Sequence, residues 1–196
     1  MLTDNIFKFR FFFVVCLLAV ALASPSQILA RSVYSGGIVA ESFDAPIVPL
    51  DNEKYFHLLR EKIKGADRDI HLSMYLFKTT NSKKNYSNAI MQELLAAAQR
   101  GVEVEVILEK NGRKSDSLNK SNSFTADRLQ KGGVKVRFDS LGKVTHSKLI
   151  VIDRKIVFIG SHNLSHTALS KSNETSLMIE SEELARYFLD YLNRIE

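Results

Sequence analysis

Four chemically useful side chains fall within eighteen residues of this sequence. His146-Ser147-Lys148 is followed by the apolar run 149–152, by Asp153, and seven residues later by Gly160-Ser161-His162-Asn163. On a strand, residues two apart share a face, so His146 and Lys148 project together. A neutral imidazole is a nucleophile when an acceptor holds its other ring nitrogen and fixes the tautomer. Lys148 is a point charge with three donors, Ser161 and Asn163 add neutral donors, and Gly160 would let backbone come close to a ligand. A phosphodiester calls for this set: a cationic, hydrogen-bonding cradle, an in-line nucleophile, and an acid for the leaving oxygen. His146 is the candidate nucleophile, and Lys148, Ser161 and Asn163 are the candidate phosphate ligands. Glu174 is the candidate acceptor that orients the His146 ring.

Other chemistries fit less well. His162 and His166 stand four apart, as a metal pair on a helix could, but no third ligand or Glu-x-x-His pattern accompanies them. Ser161 lacks the Gly-x-Ser-x-Gly elbow of a serine hydrolase. No metal and no cofactor are expected. His57 and His71 read as structural, and Tyr75 and Phe77 read as core rather than as a base-stacking platform.

These residues need a sheet to present them. Residues 69–77, 102–108, 134–138, 145–152, 156–159 and 174–179 read as strands, the fourth and fifth joined by the tight turn Asp153-Arg154-Lys155. Helices are expected over 52–64, capped by Asp51, over 88–100 before Gly101, over 125–131 before Gly132-Gly133, and over 182–195. Residues 37–43 make a first short strand, 46–51 a break, 78–85 a polar insertion and 111–123 a Ser-, Asn- and Lys-rich loop. Alternating strands and helices define an α/β fold, a mixed and mostly parallel sheet with helices on both faces. His146, Lys148, Ser161 and Asn163 then meet at one end of it, where α/β sheets bind ligands.

The 196 residues are 45% hydrophobic and 25% charged, which suits one globular domain at 37–196. Residues 1–23 read as a secretory signal peptide: Lys8 and Arg10 precede an apolar run over 11–23 that ends Ala21-Leu22-Ala23. Thirteen apolar residues fall short of the roughly 18 to 20 that cross a membrane, although residues 6–23 together could serve as an anchor. The expectation is export, periplasmic or secreted, with 24–36 as linker. Cys16 lies in the leader, so the mature chain has neither disulfide nor thiolate metal site. The net charge is +5, or +4 without Asp4, Lys8 and Arg10. Between positions 110 and 148 ten Lys or Arg residues face three Asp, which suits a polyanionic partner.

The pattern His-x-Lys, four residues, Asp, six residues, Gly-Ser-x-Asn resembles the signature of the phospholipase D superfamily at every position. The stretch 70–77, the Ala-rich helix ending Arg100-Gly101-Val102, and Asn173-Glu174 are similar to the small bacterial endonucleases and mitochondrial cardiolipin hydrolases of that superfamily. The resemblance implies a covalent phosphohistidine on His146, phosphate binding by Lys148 and Asn163, orientation of the histidine by Glu174, and a structural role for Asp153. It implies a nucleic-acid substrate, with phospholipid as the alternative. A non-catalytic binder of nucleic acid or membrane would have no need of His146. The large members carry two such motifs and this chain carries one, so a homodimer with a shared active site is expected, its second histidine supplying the acid.

Overall fold

The protein is described by a computed structural model over residues 31–35, 38–82, 84–113 and 116–196, with side chains from residue 42 onward. The expected signal segment and the first part of the linker lie outside the described residues. In chain order the elements are β1 (Arg31–Ser35), β2 (Ile38–Ser42), β3 (Ile47–Asp51), α1 (Glu53–Gly65), β4 (Asp69–Met74), β5 (Phe77–Lys78), α2 (Tyr86–Gln99), β6 (Glu103–Leu108), α3 (Ser117–Lys131), β7 (Lys135–Phe138), β8 (Lys148–Ile152), β9 (Ile156–Gly160), β10 (Leu164–Ser165), α4 (His166–Ser170), β11 (Thr175–Glu180) and α5 (Glu182–Asn193).

Seven strands form one sheet in the order β3-β11-β9-β8-β4-β6-β7. The sheet is mixed, as expected, but not mostly parallel. Only β4–β6 and β6–β7 pair in parallel; the other four pairings are antiparallel. The reason lies in the connections. Parallel neighbours need a crossover helix, which α2 and α3 supply to β6 and β7. A three-residue link joins β8 to β9 and forces them antiparallel. Lys155 N donates to Ile152 O at 3.1 Å, and Asp153 and Arg154 both have positive φ (53° and 55°), the turn whose twist matches a hairpin.

Side-chain alternation then sorts the core into two layers. Ile70, Leu72, Met74, Ile150 and Ile152 pack on one face with residues of α1, α2 and α3, such as Leu59, Leu94 and Leu129. Leu149, Val151 and Val157 pack on the other with Leu184, Ala185 and Leu192 of α5. Each fully buried Leu or Ile contributes about 1.5–3 kcal/mol relative to exposure.

Four local expectations are corrected. Residues 31–35 of the expected linker form a strand, paired antiparallel with β2 from Arg31↔Ser42 to Ser35↔Ile38; Val33 and Tyr34 suit that conformation. The break at 46–51 is edge strand β3, where Pro49 is tolerated because only β11 pairs with it. Asn52 rather than Asp51 precedes α1, at φ 51° and without a side-chain cap. The loop at 111–123 is largely the first half of α3. Asp116 caps it by accepting from Leu118 N at 2.7 Å, and Leu118, Asn119, Asn122, Thr125, Ala126 and Leu129 make its buried face. Polar residues at helical spacing carry no hydropathy signal, which hid the helix.

Candidate active site

One end of the sheet gathers the expected residues. Lys148 opens β8 opposite Met74, the last residue of β4, and Tyr75 N donates to Ser147 O at 3.0 Å. Gly160 ends β9 at this same end. The chain then passes Ser161 and Asn163 into β10, whose parallel pairing with β5 (Leu164↔Phe77) is anchored by Leu164 N donating to Leu76 O at 3.0 Å. Glu174 stands just before β11. His146, Lys148, Ser161, Asn163 and Glu174 are therefore brought to one sheet end from four separate strands.

His146 is exposed, while Lys148 is only 7% exposed. The Lys148 ammonium donates to the His146 carbonyl at 2.7 Å and lies 3.3 Å from His146 Nδ1. The Tyr75 ring packs against both: its centroid is 4.4 Å from the His146 ring and 5.0 Å from Lys148 Nζ, a cation–π distance. Tyr75 thus belongs to the site rather than to the core. Burial, and then the neighbouring ammonium, push the His146 pKa below its ordinary 6.5, favouring the neutral ring that a nucleophile needs. Burial also lowers Lys148, with the Glu174 charge opposing it.

Glu174 behaves differently from the expectation. Its carboxylate accepts from Ser161 Oγ, its N–H donates to Asn52 Oδ1 at 3.1 Å, and no hydrogen bond joins it to His146. Nδ1 faces Lys148 instead. Ser161 is thereby held between Glu174 and Thr175, whose N–H donates to its Oγ at 3.1 Å. Asn163 Oδ1 is buried with no hydrogen-bond partner among the described residues.

Gly160 is needed for a different reason from the one expected. A Cβ there would collide with the Oγ and Cα of Ser176, its cross-strand partner in β11, so the close approach is to protein and not to ligand. Ser176 in turn bonds His162 Nδ1 at 2.7 Å, while His162 Nε2 lies 3.1 Å from Asn52 O and the ring stacks on Tyr55 at 4.3 Å. His162 is a buried neutral strut beneath the site, not half of a metal pair. His166 is likewise occupied, its Nδ1 accepting from Tyr86 N at 3.4 Å. Asp153 sits at the opposite sheet end, where it accepts from the amides of Arg68 (2.9 Å), Asp69 (3.2 Å) and Asp67 (3.3 Å).

The basic block divides. Lys135 pairs with Glu103 at 2.6 Å, and Arg137 with Glu105 and the carbonyls of Leu192 and Ile195. Lys110, Lys120 and Lys143 remain exposed, the first two lining a recess with Leu141. Sequence reading missed Glu109, Asp139 and Asn122, buried polar residues next to the site. Their one signal was position: Glu109 and Asp139 each follow a strand at the end where the motif sits.

This sheet, with a histidine, lysine and asparagine at one end, defines a phospholipase D-like domain. Residues 59–196 match the family described as cardiolipin synthase, PLD-like domain, and the chain belongs to that family. It is 30% identical over 138 residues to a phospholipase D of Rickettsia felis, covering 69% of this chain and 62% of that one. It is 35% identical over 97 residues to the mitochondrial cardiolipin hydrolase of Canis lupus familiaris, covering 50% of this chain and 36% of that one. The crystal structure of Nuc from Salmonella typhimurium, a phospholipase D family member, superposes with a TM-score of 0.66 at 23% identity, covering 78% of this chain and 94% of that one. The chain spans about three-fifths of the length of its rickettsial relatives.

Proposed function

We propose that this chain is a phosphodiesterase in which a His146 ring nitrogen attacks phosphorus, the leaving oxygen departs with a proton from a second acid, and water then hydrolyses the phosphohistidine. The carrying observation is the buried Lys148 ammonium 3.3 Å from an exposed His146 ring, at the sheet end that also holds Ser161 and Asn163, whose amide nitrogen is the donor a phosphate oxygen takes. A phosphate entering there would draw Lys148 away from Nδ1, leaving that nitrogen for an acceptor and the other for attack. Lys148, Ser161 and Asn163 would carry the phosphate charge without a metal.

The acid is the partner subunit's His146, in a homodimer whose two-fold axis passes through the site. Within the chain, His162 and His166 are both engaged in hydrogen bonds. The preferred substrate is nucleic acid, supported by exposed Lys110, Lys120 and Lys143 on the segments around His146. A phospholipid substrate is favoured by a different observation: Leu141 and Val144, 69% and 63% exposed, flank Lys143 just before the histidine. Export, or anchoring by residues 6–23, rests on the leader sequence alone.

The deciding experiment presents the purified protein in EDTA with single- and double-stranded DNA, RNA, cardiolipin and phosphatidylcholine. Cleavage of DNA or RNA without metal is expected; cleavage of lipid alone overturns the substrate choice. Loss of all activity in EDTA, restored by zinc or magnesium, overturns the mechanism.

A further inference from the structure

Two carboxyl groups are buried beside the proposed nucleophile, and the reaction outlined above uses neither. Glu109 follows β6 and Asp139 follows β7, two adjacent parallel strands paired through Leu108↔Phe138. They are 2% and 6% exposed. Both accept from the same donor, the backbone N–H of Thr145, at 2.5 Å to Glu109 Oε2 and 3.1 Å to Asp139 Oδ2. The two carboxyls thus converge on one amide hydrogen. The rest of the pocket is satisfied. Asp139 Oδ1 accepts from Lys110 N at 2.8 Å, and Asn122 Nδ2 donates to the carbonyls of Glu109 (2.8 Å) and Tyr75 (2.9 Å).

Thr145 is where the chain into the site is first tied down. Leu141 to Val144 are exposed, Thr145 is buried, and His146 follows, its ring otherwise meeting only Lys148 and Tyr75 among the described residues. Fixing the Thr145 amide therefore fixes the backbone that aims the imidazole. Two carboxylates converging on one amide in a buried pocket do not both ionise readily, so one proton belongs to the pair.

We propose that the Glu109–Asp139 carboxyl pair, joined by one shared proton, is a positioning device for His146, holding it through the Thr145 amide against Lys148 and Tyr75. Loss of that proton puts two negative charges in one pocket and slackens the hold. Burial, then the bond to Asp139, pushes the Glu109 carboxyl up to about 7, so the change falls near neutral pH. The groups facing it are few. Asp139 comes from the segment after β7 and meets the same Thr145 amide, and α3 presents the neutral Asn122, which donates to the Glu109 carbonyl. Lys110, next in sequence, turns its ammonium over the Phe138 ring at 5.3 Å.

The inference rests on the reading of His146 as nucleophile, so its test has one arm that needs no turnover. Glu109→Gln keeps a donor for Asp139 and an acceptor for Thr145; Glu109→Ala keeps neither. With bis(4-nitrophenyl) phosphate as substrate, Glu109→Ala should lower kcat by about 10- to 100-fold with little change in KM, the scale of a misplaced catalytic group. Glu109→Gln should retain activity at pH 6.5 and lose the decline that the parent shows on passing pH 7. A folded Glu109→Ala with unchanged kcat, or a Glu109→Gln profile identical to the parent's, overturns the proposal; should the alanine variant not fold, the glutamine profile decides. In the other arm, NMR follows the His146 ring from pH 5 to 9. Its signals should show an inflection near pH 7 that Glu109→Gln removes, and an inflection that persists in the variant, or its absence from the parent, overturns the proposal even if the chain cleaves no phosphodiester.

Discussion

Lys148 donates to the backbone carbonyl of His146 at 2.7 Å while its ammonium stands 3.3 Å from Nδ1 of the same residue. The cation that would bind phosphate is thus already part of the structure that shapes the nucleophile. The two residues should therefore respond differently to truncation. His146 is exposed, so His146→Ala should abolish turnover, by about 10⁴-fold or more, with the melting temperature unchanged. Lys148 is buried and hydrogen-bonded, so Lys148→Ala should cost activity and also about 1–3 kcal/mol of stability. Circular dichroism melts beside rate measurements check both.

The same contact sets a pH dependence. Burial and the Lys148 charge hold the His146 pKa below 6.5, so the neutral ring persists into mildly acid solution and the acid limb of kcat/KM should lie below pH 6.5. Lys148→Met removes one of the two causes and should move the histidine titration upward. An NMR titration of His146 in both proteins reads this; a downward or absent shift would refute the electrostatic account.

Stability should also fall with pH in one window. Glu109 has a folded pKa of about 7 against an ordinary 4.5, so the folded state binds the extra proton between these values. Its contribution is complete below pH 4.5 and is lost as pH rises to 7. Melting temperature against pH should therefore slope downward across this interval in the parent less Glu109→Gln difference. A flat difference contradicts the raised value.

Two motif residues should act on the fold and not on the chemistry. Asp153→Ala leaves three backbone amides at 67–69 without their acceptor and should destabilise by about 1–3 kcal/mol with kcat retained. Gly160→Ala drives a Cβ into Ser176 and should destabilise by a similar or larger amount. Urea unfolding with activity measured at low denaturant separates the two effects.

Much of the site could be read from the sequence because its logic is local. The two-residue spacing of His146 and Lys148 and the short turn at Asp153 fix direction and register within one hairpin, and the sheet end follows. What could not be read is the part that depends on distant neighbours. Glu109, Asp139 and Thr145 meet only because β6 and β7 lie side by side. Asn122 lies on a buried face of α3 that mixes Asn119 and Thr125 with Leu118, Ala126 and Leu129, and Glu174 turns to Ser161 while Asn52 holds its backbone N–H. The sheet is less parallel than the alternation of strands and helices suggests because no long crossover helix stands between strands after β7.

The central claim is that His146 forms a bond to phosphorus. A rapid-quench reaction with a single substrate turnover, digested under mildly alkaline conditions and read by mass spectrometry, tests it directly. The account predicts an acid-labile phosphoryl adduct on the peptide containing His146, absent from His146→Ala. Turnover with no adduct at any quench time, accompanied by inversion of configuration at a chiral phosphorus, would contradict it.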